Sequence, residues 1–293
     1  MTTSRQIWIL TAFAVVAFFG LRALPDTQCA FLHAAHEPVI SQGVQFCGVN
    51  EEANFYSPKA LRFPVKLELA FNENGQGGSL RLIGDEGRPI LPFEVGVSHT
   101  QKVHLHLRQV TGRKGYIHVH PTPTDDGTWN FVLPTWFTEG NPGGDFQAYV
   151  DFVTLRAGRV LLAEATASLE VKSLPKPPLN SRNQVKAVTL STTQSDKSAL
   201  VRVTLSAPAG SPPLKLQPLM ASLGHAVLFG DANTQTGYAH MHPSLEGGEY
   251  EANPTLSFRL RLPPPGRYDL WLNISDGAED YLLVPFEVTR GAT

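Results

Sequence analysis

The chain has 293 residues, enough for two domains with cores of their own. Charged residues make up 17%, Lys and Arg number 24 against 26 Asp and Glu, the formal net charge is −2, and there are 25 Gly and 23 Pro. This balance excludes a disordered polyelectrolyte, a coiled coil and a basic nucleic-acid binder, and points to a β protein punctuated by turns.

The chain opens with Ile7 to Leu21, an uncharged and mostly apolar run behind Arg5. That is the positive region and apolar stretch of an export signal. A fifteen-residue helix reaches only about 22 Å against a hydrocarbon core of about 30 Å. Arg22 can snorkel, however, and Ala23 and Leu24 extend the apolar run. Residues 1–24 are therefore read as a signal or anchor segment. The protein is expected to be exported and held at the membrane through this helix, facing the periplasm or the cell exterior, with secretion after cleavage as the alternative. No A-x-A follows, and Thr27-Gln28-Cys29 is neither a signal-peptidase site nor a lipobox. Residues 25–59 form a juxtamembrane segment in which Cys29 and Cys47 are expected to pair as a disulfide, since exported thiols oxidise. Unpaired thiols, or metal ligation beside His33 and His36, are the alternatives.

Beyond residue 60 apolar residues alternate with polar ones, as in Val65-Lys66-Leu67-Glu68-Leu69, Val201-Arg202-Val203-Thr204-Leu205 and Phe258-Arg259-Leu260-Arg261-Leu262. Period two is the signature of half-buried strands, and Asn74-Gly75, Asp126-Gly127 and Asp276-Gly277 supply turns between them. The fold class is all-β. Leu174-Pro175-Lys176-Pro177-Pro178-Leu179-Asn180 can neither pair as a central strand nor continue a helix, so residues 174–184 read as a linker between segments 60–173 and 185–293.

These two segments match each other. Gly115-Tyr116-Ile117-His118-Val119-His120-Pro121 superposes on Gly237-Tyr238-Ala239-His240-Met241-His242-Pro243 at an offset of 122. The same offset sets Gly144, Phe146, Tyr149 and Val150 on Gly266, Tyr268, Trp271 and Leu272, and Trp136 on Phe258. Lys102-Val103-His104-Leu105 meets Leu223-Gly224-His225-Ala226 one residue out, at 121. The expectation is two tandem immunoglobulin-like β-sandwiches, copies of one unit.

Each copy carries a His on one strand and a His-x-His-Pro some fourteen or fifteen residues later. Alternate strand residues share a face, so His118 and His120 point the same way, as do His240 and His242. If the preceding strand pairs antiparallel, His104 comes within cross-strand reach, with His106 beside it. His225 plays the same part in the second copy. Three neutral imidazoles suit copper or zinc. Met220 and Met241 are the only methionines after the first; alternation turns Met241 into the core and leaves Met220 as the candidate soft ligand. The competing reading is a polar network in which the ring nitrogens satisfy backbone groups.

Gly224-His225-Ala226-Val227-Leu228, then Tyr238-Ala239-His240-Met241-His242-Pro243, then Pro265-Gly266-Arg267-Tyr268-Asp269-Leu270-Trp271 resembles a module with the pattern GHxxx, HxHP and PGxYxxW. That module is found in exported bacterial proteins, some of them associated with copper or heavy-metal handling. The second copy matches over about 60 residues. The first departs from the pattern, with no Gly before His104 and with Gly144-Asp145-Phe146 and Tyr149 where the module has Gly, an aromatic and Trp. The resemblance implies a β-sandwich and an exported location.

No GxSxG, P-loop or HExxH is present, Asp125-Asp126-Gly127 reads as a turn, and Asn273-Ile274-Ser275 is a glycosylation sequon set inside a strand. The function expected from the sequence is non-catalytic binding or handling of a transition metal, copper or zinc, through His104, His106, His118 and His120 in one copy and His225, His240, His242 and Met220 in the other. The alternative is a structural or protein-interaction module, presenting a surface to a protein partner, whose histidines stabilise the fold.

Overall fold

The computed structural model describes residues 3–22, 39–41, 44–46, 52–53, 65–110, 115–140, 143–156, 160–170, 187–194, 198–220, 222–230, 237–247 and 252–289. Cys29, Cys47, His33, His36 and the linker at 174–184 lie outside these residues.

The apolar run folds as helix α1 (Thr3–Arg22), whose Trp8, Phe13 and Val16 are exposed. Among the described residues no helix is long and apolar enough to cross a membrane. The expected anchor over 1–24 is therefore not supported by this helix, and Ala23 and Leu24, which were to extend it, lie outside the described residues. Residues 1–36 form one unit and residues 37–293 another.

The second unit is built from β1 (Val39–Ser41), β2 (Val44–Phe46), β3 (Glu52–Ala53), β4 (Lys66–Phe71), β5 (Gly77–Ile83), β6 (Val95–Gly96), β7 (Val103–Gln109), β8 (Tyr116–Val119), β9 (Thr122–Pro123) and β10 (Thr128–Val132). After a short helix α2 (Thr135–Gly140) come β11 (Gly143–Thr154), β12 (Val160–Glu170), β13 (Ala187–Gln194), β14 (Ser198–Ser206), β15 (His225–Gly230) and β16 (Tyr238–Met241). The chain closes with β17 (Ser244–Glu246), β18 (Thr255–Arg261), β19 (Gly266–Ser275) and β20 (Glu279–Val288). The protein is predominantly β, with four main sheets.

Two sheets, in the order β4-β5-β10-β9 and β12-β11-β7-β8, enclose one core. Two more, β13-β14-β18-β17 and β16-β15-β19-β20, enclose another. The strand orders correspond, β7, β8, β11 and β12 matching β15, β16, β19 and β20. Period two explains each core: Val103, Leu105 and Leu107 point one way from β7 into the first, and Ala226 and Leu228 from β15 into the second. Met241 is buried in the second core, where alternation placed it. From the segment expected to be a juxtamembrane spacer, β3 joins the second half by pairing in parallel with β18.

The matching offset of 122 does not hold everywhere. Trp136 lies in α2, half exposed, whereas Phe258 lies buried on β18, whose counterpart by sheet order is β10. The helix is inserted between β10 and β11, and Trp129 and Phe131 fill the core instead.

Close strand approach fixes the outer sheet of the first half. A Cβ added at Gly78 would run into the carbonyl oxygen of Ala70 and the ring of Phe131. Gly78→Ala is expected to cost about 3 kcal/mol in denaturant unfolding, the upper part of the range for forcing extra volume into a packed site. A change under about 0.5 kcal/mol would show that the strands can part.

Candidate metal centre

Strands β7 and β15 are buried on both faces. Their second faces meet. Tyr116, Tyr149 and Leu162 from the first half pack with Val227, Phe229, Tyr238 and Trp271 from the second. The Arg108 guanidinium spans this contact, donating to Gly230 O at 2.8 Å and Gln147 Oε1 at 2.7 Å while lying 4.9 Å from the Phe229 ring centre. The Gly237 amide donates to Tyr149 Oη at 3.0 Å. The histidines occupy the same contact, so the two expected clusters form one.

In the first half β7 and β8 pair antiparallel with His106 opposite His118, and β11 sets Asp151 opposite His104. In the second half Val227 faces His240 and Asn273 faces His225. Val227 thus takes the place of His106, and Asn273 that of Asp151.

His104 Nδ1 lies 3.2 Å from both His118 Nε2 and His120 Nε2. Three nitrogens bound to one tetrahedral ion at 2.0 to 2.1 Å stand about 3.3 Å apart. The other nitrogen of His104, Nε2, donates to the Ser98 carbonyl at 3.0 Å, which leaves the Nδ1 lone pair facing inward. His225 repeats this, donating from Nε2 to Leu219 O at 3.0 Å with Nδ1 at 3.1 Å from His240 Nε2. His225, His240 and His242 lie within ligand reach of one another, as do His104, His118 and His120.

Asp151 was missed by the sequence reading. Its Oδ2 accepts from His106 Nε2 at 3.0 Å, Tyr238 Oη at 3.1 Å and His240 Nδ1 at 3.3 Å, so a first-half carboxylate orients a second-half histidine. Burial works to raise this carboxyl, but His104, His106 and His240 hold it well below the usual carboxylate value. Burial pushes the other way on imidazoles: His120 and His240 are lowered to about 3, His118, His225 and His242 well below the ordinary value, and His106 is lowered too. Neutral rings beside an ionised carboxylate favour a cation.

His240 therefore gives its Nδ1 hydrogen to Asp151 and turns the Nε2 lone pair on His225 Nδ1, itself a lone pair. Two lone pairs 3.1 Å apart repel unless a cation lies between them. His242 Nε2 is buried with no hydrogen-bond partner among the described residues. Such orphans are rare in folded proteins and call for an explanation. The donor set fits a metal that accepts imidazole nitrogen.

His106 is different. It lies close enough to His118 and His240 to form a third grouping, but Tyr116 Oη donates to its Nδ1 at 2.9 Å and its Nε2 donates to Asp151. With both nitrogens taken, His106 positions Asp151 and is not a ligand.

His99 was also missed. Its ring centre lies 4.1 Å from that of His242 and 6.2 Å from that of His104. The offset of 121 would have found it, because it sets His99 opposite Met220, each five residues before the first histidine of its copy. Met220 stands half-buried in the turn between Leu219 and Ser222. Asn273 is fully buried, so its sequon is not available to a glycosyl donor.

A domain family described as a domain of unknown function, DUF8832, matches residues 182–291. Comparison with curated proteins gives no match. Among solved structures, latent PorU from Porphyromonas gingivalis is similar at 11% identity and a TM-score of 0.25, over 78% of this chain and 24% of that one. The β-glucuronidase of Parabacteroides merdae gives 11% and 0.20 over 75% and 24%, and a marsupial T cell receptor 7% and 0.21 over 78% and 62%. The chain thus spans about a quarter of the length of the first two. At such scores these likenesses have no bearing on function.

Proposed function

We propose that the protein binds and hands on a transition metal, copper or zinc, at two histidine trios, His104, His118 and His120 in one half and His225, His240 and His242 in the other. The observation that carries this reading is the lone-pair confrontation of His225 and His240, each ring pinned by a hydrogen bond on its far nitrogen. A hydrogen-bonded imidazole with its free nitrogen aimed at a common point is how proteins prepare metal-ligating histidines. The matching strand orders support the further reading that the halves are copies of one immunoglobulin-like sandwich. The reading is of binding without turnover, since the sequence carries none of the common catalytic motifs. Export is read from the apolar N-terminal run behind Arg5.

The structural alternative draws on the satisfied group of His106, Tyr116, Asp151 and Tyr238, which ties the halves together without a metal. Titration separates the two. The full chain in detergent is expected to take up two copper or zinc ions, and a His240→Ala, His242→Ala variant only one. Binding weaker than about 10 μM, or equal in the variant, would leave the structural reading.

A further inference from the structure

The turns before His104 and His225 correspond residue for residue. Ser98 pairs with Gln101 beyond His99, and Leu219 pairs with Ser222 beyond Met220. In each, the first carbonyl accepts from the histidine that follows. His99 and Met220 hold φ of 49° and 51°, and both are half-buried. Left-handed turn positions ordinarily go to Gly, Asn or Asp, so neither side chain is there for the backbone's sake.

His99 stands nearer to His242 of the other half than to His104 of its own, 4.1 Å against 6.2 Å between ring centres. The contacts between halves are paired by a pseudo-twofold relation: His104 to His240 at 5.5 Å is matched by His225 to His118 at 5.3 Å, and Tyr116 to Trp271 at 5.6 Å by Tyr238 to Tyr149 at 4.7 Å. By the same relation, the counterpart of His99 beside His242 is Met220 beside His120, a pairing inferred from the symmetry.

We propose that the two turns exchange donors, His99 serving as fourth ligand to the trio His225, His240 and His242, and the Met220 thioether as fourth ligand to His104, His118 and His120. This rests on the metal reading above and deepens it. The sites are then unlike: one offers four imidazole nitrogens, the other three nitrogens and a soft sulfur that selects Cu(I). Each ion also needs both halves, so neither sandwich forms a complete site alone.

The test is X-ray absorption at the copper edge of the full chain in detergent, loaded anaerobically with Cu(I) after alkylation of free thiols, with a parallel Zn(II) titration. A sulfur scatterer is expected in wild type. Met220→Leu removes it and weakens one Cu(I) site by about tenfold or more, leaving Zn(II) at the other site unchanged. His99→Leu keeps the sulfur and weakens Zn(II). The sulfur also disappears in a His118→Ala, His120→Ala variant and stays in a His240→Ala, His242→Ala variant. The reverse pattern, or no sulfur in wild type, overturns the exchange while six-histidine binding stands. Absence of any Cu(I) or Zn(II) binding overturns both.

Discussion

Asp151→Asn is expected to destabilise the metal-free protein by about 3 kcal/mol, the cost of breaking a buried charge-assisted group. Three donors from both halves, His106 Nε2, Tyr238 Oη and His240 Nδ1, converge on one carboxylate oxygen. An amide oxygen in the same place carries no charge, so it accepts these three bonds more weakly, and its NH2 group replaces the other carboxylate oxygen. His240 would also lose the partner that fixes its tautomer, so metal affinity at the second trio should fall about 10- to 100-fold. Denaturant unfolding and metal titration read the two effects separately. An unfolding change under about 0.5 kcal/mol would mean that Asp151 does not join the halves.

Acid should unfold the metal-free protein well before carboxylates titrate. His120 and His240 titrate near 3 in the folded protein, and His118, His225 and His242 are also held far below the ordinary histidine value. In the unfolded chain these rings take up protons near 6.5. Between those values the unfolded state binds more protons, so stability is full above about pH 6.5 and falls as the pH drops toward 3, at about 1.4 kcal/mol per pH unit for each neutral histidine. Ionised Asp151 adds a further loss below its ordinary range. Unfolding midpoints measured from pH 8 to 4 should decline steeply, and bound metal should resist the decline because it competes with protons for the same lone pairs. A flat profile across that window would mean that the rings are solvated.

The cores were legible because strand alternation assigns Leu105 and Ala226 inward and the histidines to the opposite face. Which side of that opposite face meets solvent was not legible: single-face alternation looks the same whether the far side is wet or packed on another sheet. Tyr116, Tyr149, Phe229 and Trp271 on the histidine face held the clue, since large aromatics there call for cover. Asp151 escaped notice because its counterpart in the repeat is Asn273, so a search for shared residues passes over it. Trp136 was misplaced because the inserted helix breaks the offset.

Convergence of histidines from both halves on bound metal can be seen by anomalous diffraction from Cu(I)-loaded crystals of the full chain. Two peaks are expected, one among His104, His118 and His120 and one among His225, His240 and His242. Copper found only beside Cys29, His33 and His36, or at no histidine of the two trios, would contradict that convergence.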